Sequence, residues 1–300
     1  MKRLFAISFL WLFLAPLFAI QAQEGIQPRI AFSDVWARAN ADTPQDEVPA
    51  GEATAVYMRI VNLSDAEVAL VGVSTPAAET IQLHQAVMDG DIMRMQPMTE
   101  APIIAAGESL NFEMAGSHIM LLGAQPLVAG TAFPVTLTFS GTDGGTFVET
   151  IGVPVLDFTA LPTPVPAIAI GSAWARPTAA DETETPVTDV SAVYLQLFST
   201  AENDDALVEV ETSAAGIAEI HESVMDGDVM RMRPLEGGLP LPAGGEATLE
   251  PGGYHIMLMD LQTPLFDGNA LSMTLIFASG AEITIGVPVY DRMMMDMNHE

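Results

Sequence analysis

Four of the chain's five histidines stand in two matched sets with methionine. His84 and Met95 precede His118-Ile119-Met120, and His221 and Met232 precede His255-Ile256-Met257. In both sets ten residues separate the first histidine from the methionine, and twenty-two separate that methionine from the second histidine. Imidazole nitrogen and thioether sulfur, in a sequence without cysteine, make a donor set suited to a soft ion of low coordination number, Cu(I). Zinc normally takes cysteine, histidine or carboxylate, and calcium and magnesium want oxygen. The plain alternative is that each histidine is a hydrogen-bonded residue on a β face and each methionine a core filler. Gln85-Ala86 becomes Glu222-Ser223 and Ser117 becomes Tyr254, yet all four His and Met positions repeat, which favours the metal.

Such ligands need strands to bring them together. Asp89-Gly90, between Val87-Met88 and Asp91-Ile92-Met93, is a two-residue hairpin signal, and Asp226-Gly227 is its counterpart. With those residues as the loop, His84 faces Met95 and His221 faces Met232 across the hairpin. In His118-Ile119-Met120 and His255-Ile256-Met257, residues i and i+2 share one strand face while the isoleucine takes the other. The expectation is one His2Met2 site per repeat, two ligands from a hairpin and two from a neighbouring strand. Met88, Met93, Met225 and Met230 share the ligand face and read as rim or core. Arg94 and Arg231 fall on the opposite face as surface charge, and Trp36 and Trp174 read as core anchors.

The matched sets belong to a longer duplication. Val35-Trp36-Ala37-Arg38 recurs as Ala173-Trp174-Ala175-Arg176, Ala55-Val56-Tyr57 as Ala192-Val193-Tyr194, and Ile-Gly-Val-Pro-Val closes each copy at 151–155 and 285–289. A repeat this long is a duplicated domain and not a solenoid unit. Within each copy the segments are short, apolar or alternating, and separated by turn residues, as in Ala55–Val61, Val68–Val73, Ala132–Phe139 and Val148–Val155. No window keeps a helical period, so the class is all-β, a Greek-key sandwich or barrel in each copy. The organisation read from this is a signal peptide at 1–22, a first β domain at 23–158 and a proline-rich linker at 159–167. A second β domain at 168–291 and a Met/His-rich tail at 292–300 follow. Segments 39–53 and 177–189 read as equivalent exposed loops.

Composition narrows the function. The formal charge is −29, and becomes −31 without Lys2 and Arg3, which repels a phosphate backbone and excludes basic-patch nucleic-acid binding. Lys2 is the sole lysine, so Schiff-base chemistry and a P-loop are absent as well. Met1-Lys2-Arg3 followed by an apolar run to Ile20 has the form of a secretory signal, with an uncleaved N-terminal anchor as the alternative. Without cysteine after that run, a cysteine-linked lipid is excluded. Blue-copper chemistry needs a cysteine thiolate, and no other constellation supports an enzyme or a small-molecule substrate. A secreted β-sandwich interaction module with structural His and Met, and a copper storage or scavenging protein, remain alternatives to a Cu(I) carrier. The tail, with His299, has the composition of a further copper-collecting segment.

At these residues the chain resembles the PCu(A)C family of periplasmic copper chaperones. His84, Met95, His118 and Met120 fill that family's His, Met and His-x-Met signature, and His221, Met232, His255 and Met257 fill it again. The gap before the second histidine is one residue longer than the family's usual spacing. The Met-Arg-Met-x-Pro run, the Pro-Gly-Gly-Tyr-His-Ile-Met-Leu-Met run of the second copy and the Trp-Ala-Arg of each copy also look like the family. The resemblance implies a cupredoxin-like fold, an exposed Cu(I) site in each domain, a periplasmic location, and delivery to a membrane acceptor such as a cytochrome oxidase subunit. The tandem form departs from the family's usual single domain.

Overall fold

The computed structural model describes residues 29–42, 53–90, 92–114, 116–157, 165, 167–179, 188–227 and 229–291. The signal segment, most of the linker and the tail with His299 lie outside the described residues. The first unit runs β1 (Ile30–Arg38), β2 (Ala53–Asn62), β3 (Val68–Ser74), β4 (Ala78–Asp89) and β5 (Ile92–Pro97). It continues with β6 (Ile103–Ile104), β7 (Ser109–Phe112), β8 (His118–Ala124), β9 (Ala132–Gly141) and β10 (Thr146–Leu156). The second unit repeats that series as β11 (Ile168–Ala175), β12 (Ser191–Ser199), β13 (Asp205–Glu211), β14 (Ala215–Asp226) and β15 (Val229–Pro234). It ends with β16 (Leu239–Leu241), β17 (Glu246–Leu249), β18 (Tyr254–Leu261), β19 (Ala270–Phe277) and β20 (Glu282–Pro288). The described residues hold no helix. The chain is all-β, two tandem cupredoxin-like sandwiches.

Alternation builds each sandwich. In β9, Phe133, Val135, Leu137 and Phe139 point inward and are buried, while the residues between them are only partly covered. Leu271, Met273, Leu275 and Phe277 repeat this in β19. One sheet of the first unit runs β5–β4–β8–β2–β1, with β7 continuing the line of β8 along β2. The other runs β6–β3–β9–β10. Their inner faces form one core and the second unit's form another; no buried residue belongs to both. A fully buried Leu, Ile or Phe contributes about 1.5–3 kcal/mol, so each unit stands without disulfides.

A bulge recurs in the first strand of each unit. Between Ser33 and Trp36, and between Gly171 and Trp174, the register against the next strand gains a residue. Asp34 (φ 52°) and Ser172 (φ 49°) take the left-handed conformation there. The extra residue turns Trp36 and Trp174 onto the outer face of the sheet, opposite Tyr57 and Tyr194. Neither tryptophan joins the core between the sheets: Trp174 anchors a smaller buried cluster with Ala192 and Tyr194, and Trp36 is half-buried. The tryptophan rings lie tilted against those tyrosines, with centroids 4.5 Å apart.

The units join at equivalent positions. β1 meets β11 antiparallel at Phe32↔Ile170, and β10 meets β20 antiparallel at Gly152↔Gly286. Each contact pairs a residue with its own copy, as in a two-fold, isologous interface. Ala31 and Ala169, also copies of one another, pack between the units with Phe198, which the Arg29 guanidinium overlies at 5.0 Å. Arg29 also pairs with Glu246 of the second unit.

Candidate metal centre

The ligand candidates lie on the outer face of the five-stranded sheet, away from the core. Ile119 and Ile256 are fully buried in their cores, which fixes His118, Met120, His255 and Met257 on the other side. β8 pairs with β4 so that His118 stands directly opposite His84, and Met120 opposite Gln82. In the second unit His255 stands opposite His221, and Met257 opposite Glu219. The ring centroids are 5.5 Å apart in the first pair and 5.8 Å in the second, edge to face in both.

The hairpin register differs from the expected one. His84 pairs with Pro97 and Ala86 with Met95; His221 pairs with Pro234 and Ser223 with Met232. The last ladder pairs are Asp89↔Ile92 and Asp226↔Val229, so Asp89 and Asp226 end their strands instead of opening the turn. Gly90 and Gly227, both at φ 65°, supply the positive φ that a tight hairpin turn needs at its first loop residue. The shift is two residues, which preserves the face. Met95 is thus a diagonal neighbour of His84, about 7–8 Å away between Cα atoms and within reach of a long side chain. The structure brings the histidines together and places Met120 and Met257 beside them, half-buried. It leaves Met95 and Met232 exposed on the hairpin.

Hydrogen bonds decide which ring nitrogens are free. His118 Nδ1–H donates to the Gly116 carbonyl and His255 Nδ1–H to the Gly253 carbonyl, each at 3.2 Å. That leaves Nε2 as the lone-pair nitrogen of both rings. His84 Nε2–H donates to Gln82 Oε1 at 2.9 Å and His221 Nε2–H to Glu219 Oε2 at 3.0 Å, which leaves Nδ1. Nδ1 of His84, Nδ1 of His221 and Nε2 of His255 are buried without a hydrogen-bond partner. A buried polar atom left unpaired costs about 1–3 kcal/mol. Burial, and His118 across the ladder, hold the His84 imidazole below its ordinary titration range. Burial does the same at His255, against the Gly253 hydrogen bond and with help from His221. Both rings are therefore neutral donors that a metal can engage without displacing a proton.

The sequence reading missed three parts of this arrangement. Gln82 and Glu219 lie two residues before His84 and His221, on the same strand face, and orient their rings. Gly116 and Gly253 orient those of His118 and His255 through their carbonyls. Tyr57 and Tyr194 stand 6.4 Å from His118 and His255, between histidine and tryptophan; the repeated Ala-Val-Tyr was the available signal. Arg94 does lie on the opposite face, paired with Asp89 at 2.9 Å, and Arg231 pairs with Asp226 at 2.8 Å. Among the described residues no three His, Cys, Asp or Glu side chains form a metal-holding group. The side chains that share the imidazoles' face include the thioethers of Met120 and Met257.

A family profile described as "Putative lipoprotein LpqE-like" matches residues 30–153 and 168–289. The chain belongs to the LpqE-like family. The match falls once on each unit. Among curated relatives, this LpqE-like chain is 35% identical over 102 residues to the putative lipoprotein Lxx21020 of Leifsonia xyli subsp. xyli (strain CTCB07), covering 34% of this chain and 61% of that one. It is 28% identical over 116 residues to the uncharacterized protein RP573 of Rickettsia prowazekii (strain Madrid E), covering 39% and 62%. The chain thus spans about three-fifths of the length of these relatives. Among solved structures it is similar to the copper-bound PCuAC domain from PmoF2, at 28% identity and a TM-score of 0.32 over 42% of this chain and 93% of that one. It is also similar to CuI-DR1885 from Deinococcus radiodurans, at 26% identity and a TM-score of 0.32 over 43% and 83%.

Proposed function

We propose that the protein is an exported Cu(I) carrier with one site in each unit. His84, Met95, His118 and Met120 hold the ion in the first unit, and His221, Met232, His255 and Met257 in the second. One observation carries the reading: in both units two imidazoles face each other with ring nitrogens left free by their hydrogen bonds, on a face that also bears Met95 and Met120 in one unit and Met232 and Met257 in the other. Neutral nitrogen with thioether sulfur is a Cu(I) donor set, and an exposed thioether on a hairpin lets the ion exchange. The ion is cargo, so no reaction is assigned to the chain. Export follows from the N-terminal segment, and it accords with the lipoprotein naming of the family. Delivery to a membrane acceptor such as a cytochrome oxidase subunit rests on the PCu(A)C resemblance alone.

An anaerobic Cu(I) titration against a competing chelator tests the reading. About two tight equivalents per chain are expected, one for each His2Met2 set. His84→Ala should remove one and His84→Ala with His221→Ala both. Affinity no greater than that of an unstructured methionine-rich peptide would sink the proposal and leave the hairpins as protein-interaction surfaces.

A further inference from the structure

The methionines of the described residues fall into two groups. Met58, Met98 and Met114 of the first unit become Leu195, Leu235 and Pro251 in the second, and Met259 and Met273 stand where the first has Leu122 and Val135. Met58, Leu195, Val135 and Met273 are each 1% exposed, so packing at those positions is satisfied by an aliphatic side chain. Four positions keep sulfur in both copies. Two are the proposed ligands Met95/Met232 and Met120/Met257; the others are Met88/Met225 and Met93/Met230.

Packing does not explain the latter pair. Met88 is 61% and Met93 50% exposed, and Met225 and Met230 are 63% and 54% exposed. The hairpin ladder sets Met88 directly opposite Met93 and Met225 directly opposite Met230. Facing positions have Cβ atoms about 4.5–5.5 Å apart. Met95 follows Met93 by two residues, on the same face, and Met232 follows Met230 likewise. Three thioethers therefore cluster at each hairpin end, the third being one already placed in the histidine site. The hairpin's charged residues Asp89 and Arg94 pair on the opposite face, as do Asp226 and Arg231.

We infer that each hairpin tip is an outer Cu(I) position, formed by Met88, Met93 and Met95 in one unit and by Met225, Met230 and Met232 in the other. This rests on the copper reading of the inner sites and adds an entry step to it. Thioethers select Cu(I), and their exposure lets an incoming donor complex reach them. The ion then moves inward by ligand exchange, without change of oxidation state. Its bonds to Met88 and Met93 sulfur break as bonds to Nδ1 of His84, Nε2 of His118 and the Met120 sulfur form, and Met95 stays bound throughout.

The test uses the full chain with 13C-labelled methionine methyls, titrated anaerobically with Cu(I) and followed by NMR. The Met95, Met120, Met232 and Met257 methyls should shift first; beyond one equivalent per unit, those of Met88, Met93, Met225 and Met230 should follow. Changing all four tip methionines to leucine should preserve the fold, since they are exposed, and the affinity of the inner sites. Loading from a Cu(I)–chelate complex should then slow about tenfold, equivalent to about 1.4 kcal/mol of transient binding. Tip methyls that stay fixed at every Cu(I) ratio, or unchanged loading by the leucine variant, would overturn the outer position while leaving the inner sites intact. Silence of the Met95 and Met120 methyls as well would defeat the copper reading itself.

Discussion

The two histidine pairs differ in one hydrogen-bond acceptor. His84 donates to the neutral amide of Gln82, whereas His221 donates to the Glu219 carboxylate. A carboxylate behind a ligating imidazole raises the donor strength of the ring, and losing such a partner typically costs about 10–100-fold in metal affinity. The second unit should therefore hold Cu(I) more tightly than the first. Glu219→Gln should lower the second site's affinity by about tenfold or more, and Gln82→Glu should raise that of the first. Chelator competition in a His84→Ala or His221→Ala background isolates each site in turn. Equal affinities, or none of these changes, would show that the acceptor only orients the ring. The second site is also the more polar: Ser223, with a buried unpartnered hydroxyl, stands where the first has Ala86.

At the scale of the element, the β4–β5 hairpin is the part that a single backbone angle governs. An added Cβ at Gly90 or Gly227 would meet nothing within 4 Å, so Gly90→Ala costs only the positive φ, about 1–2 kcal/mol. Faster amide exchange along β4 and β5 and weaker Cu(I) binding in the first unit are expected, with β14 and β15 unchanged. Protection equal to that of the parent would show that the turn tolerates alanine. The same turn explains what the sequence could disclose. Asp89-Gly90-Asp91 contains two overlapping turn dipeptides, and local chemistry does not choose between them. The mispairing was by two residues, and strand faces repeat every two, so the shared face of His84 and Met95 was legible although their facing positions were not. His118-Ile119-Met120 was legible in full, because alternation is a property of the strand itself. Gln82 and Glu219 share a strand face with His84 and His221 at a spacing of two, so alternation already placed them within reach and only their role was missed. The tyrosines were hidden, since theirs arises only when strands distant in sequence are laid side by side.

For the whole molecule, the repeated Ile-Gly-Val-Pro-Val read as the closing strand of each copy, and its glycine proves to be the seam between units. An added Cβ on Gly152 would collide with the Gly286 and Val287 backbone, the close approach that a strand glycine often marks. Gly152→Val should part the β10–β20 contact and enlarge the radius of gyration in X-ray scattering. Cu(I) affinity in each unit should stay unaltered, because the two cores are separate. An unchanged scattering profile would mean that the β1–β11 contact alone holds the units. The joined sheet also fixes the distance between the sites. From β8 to β18 it passes through β2, β1, β11 and β12, five strand-to-strand steps or about 24 Å. Among the described residues no thioether spans that gap. With no shared ligand and no shared core, the two sites fill as independent vessels. If the units carry Cu(I) as proposed, each fills according to its own affinity, the tighter second site first, and a recipient would meet a graded population of empty, singly and doubly loaded chains instead of a switch.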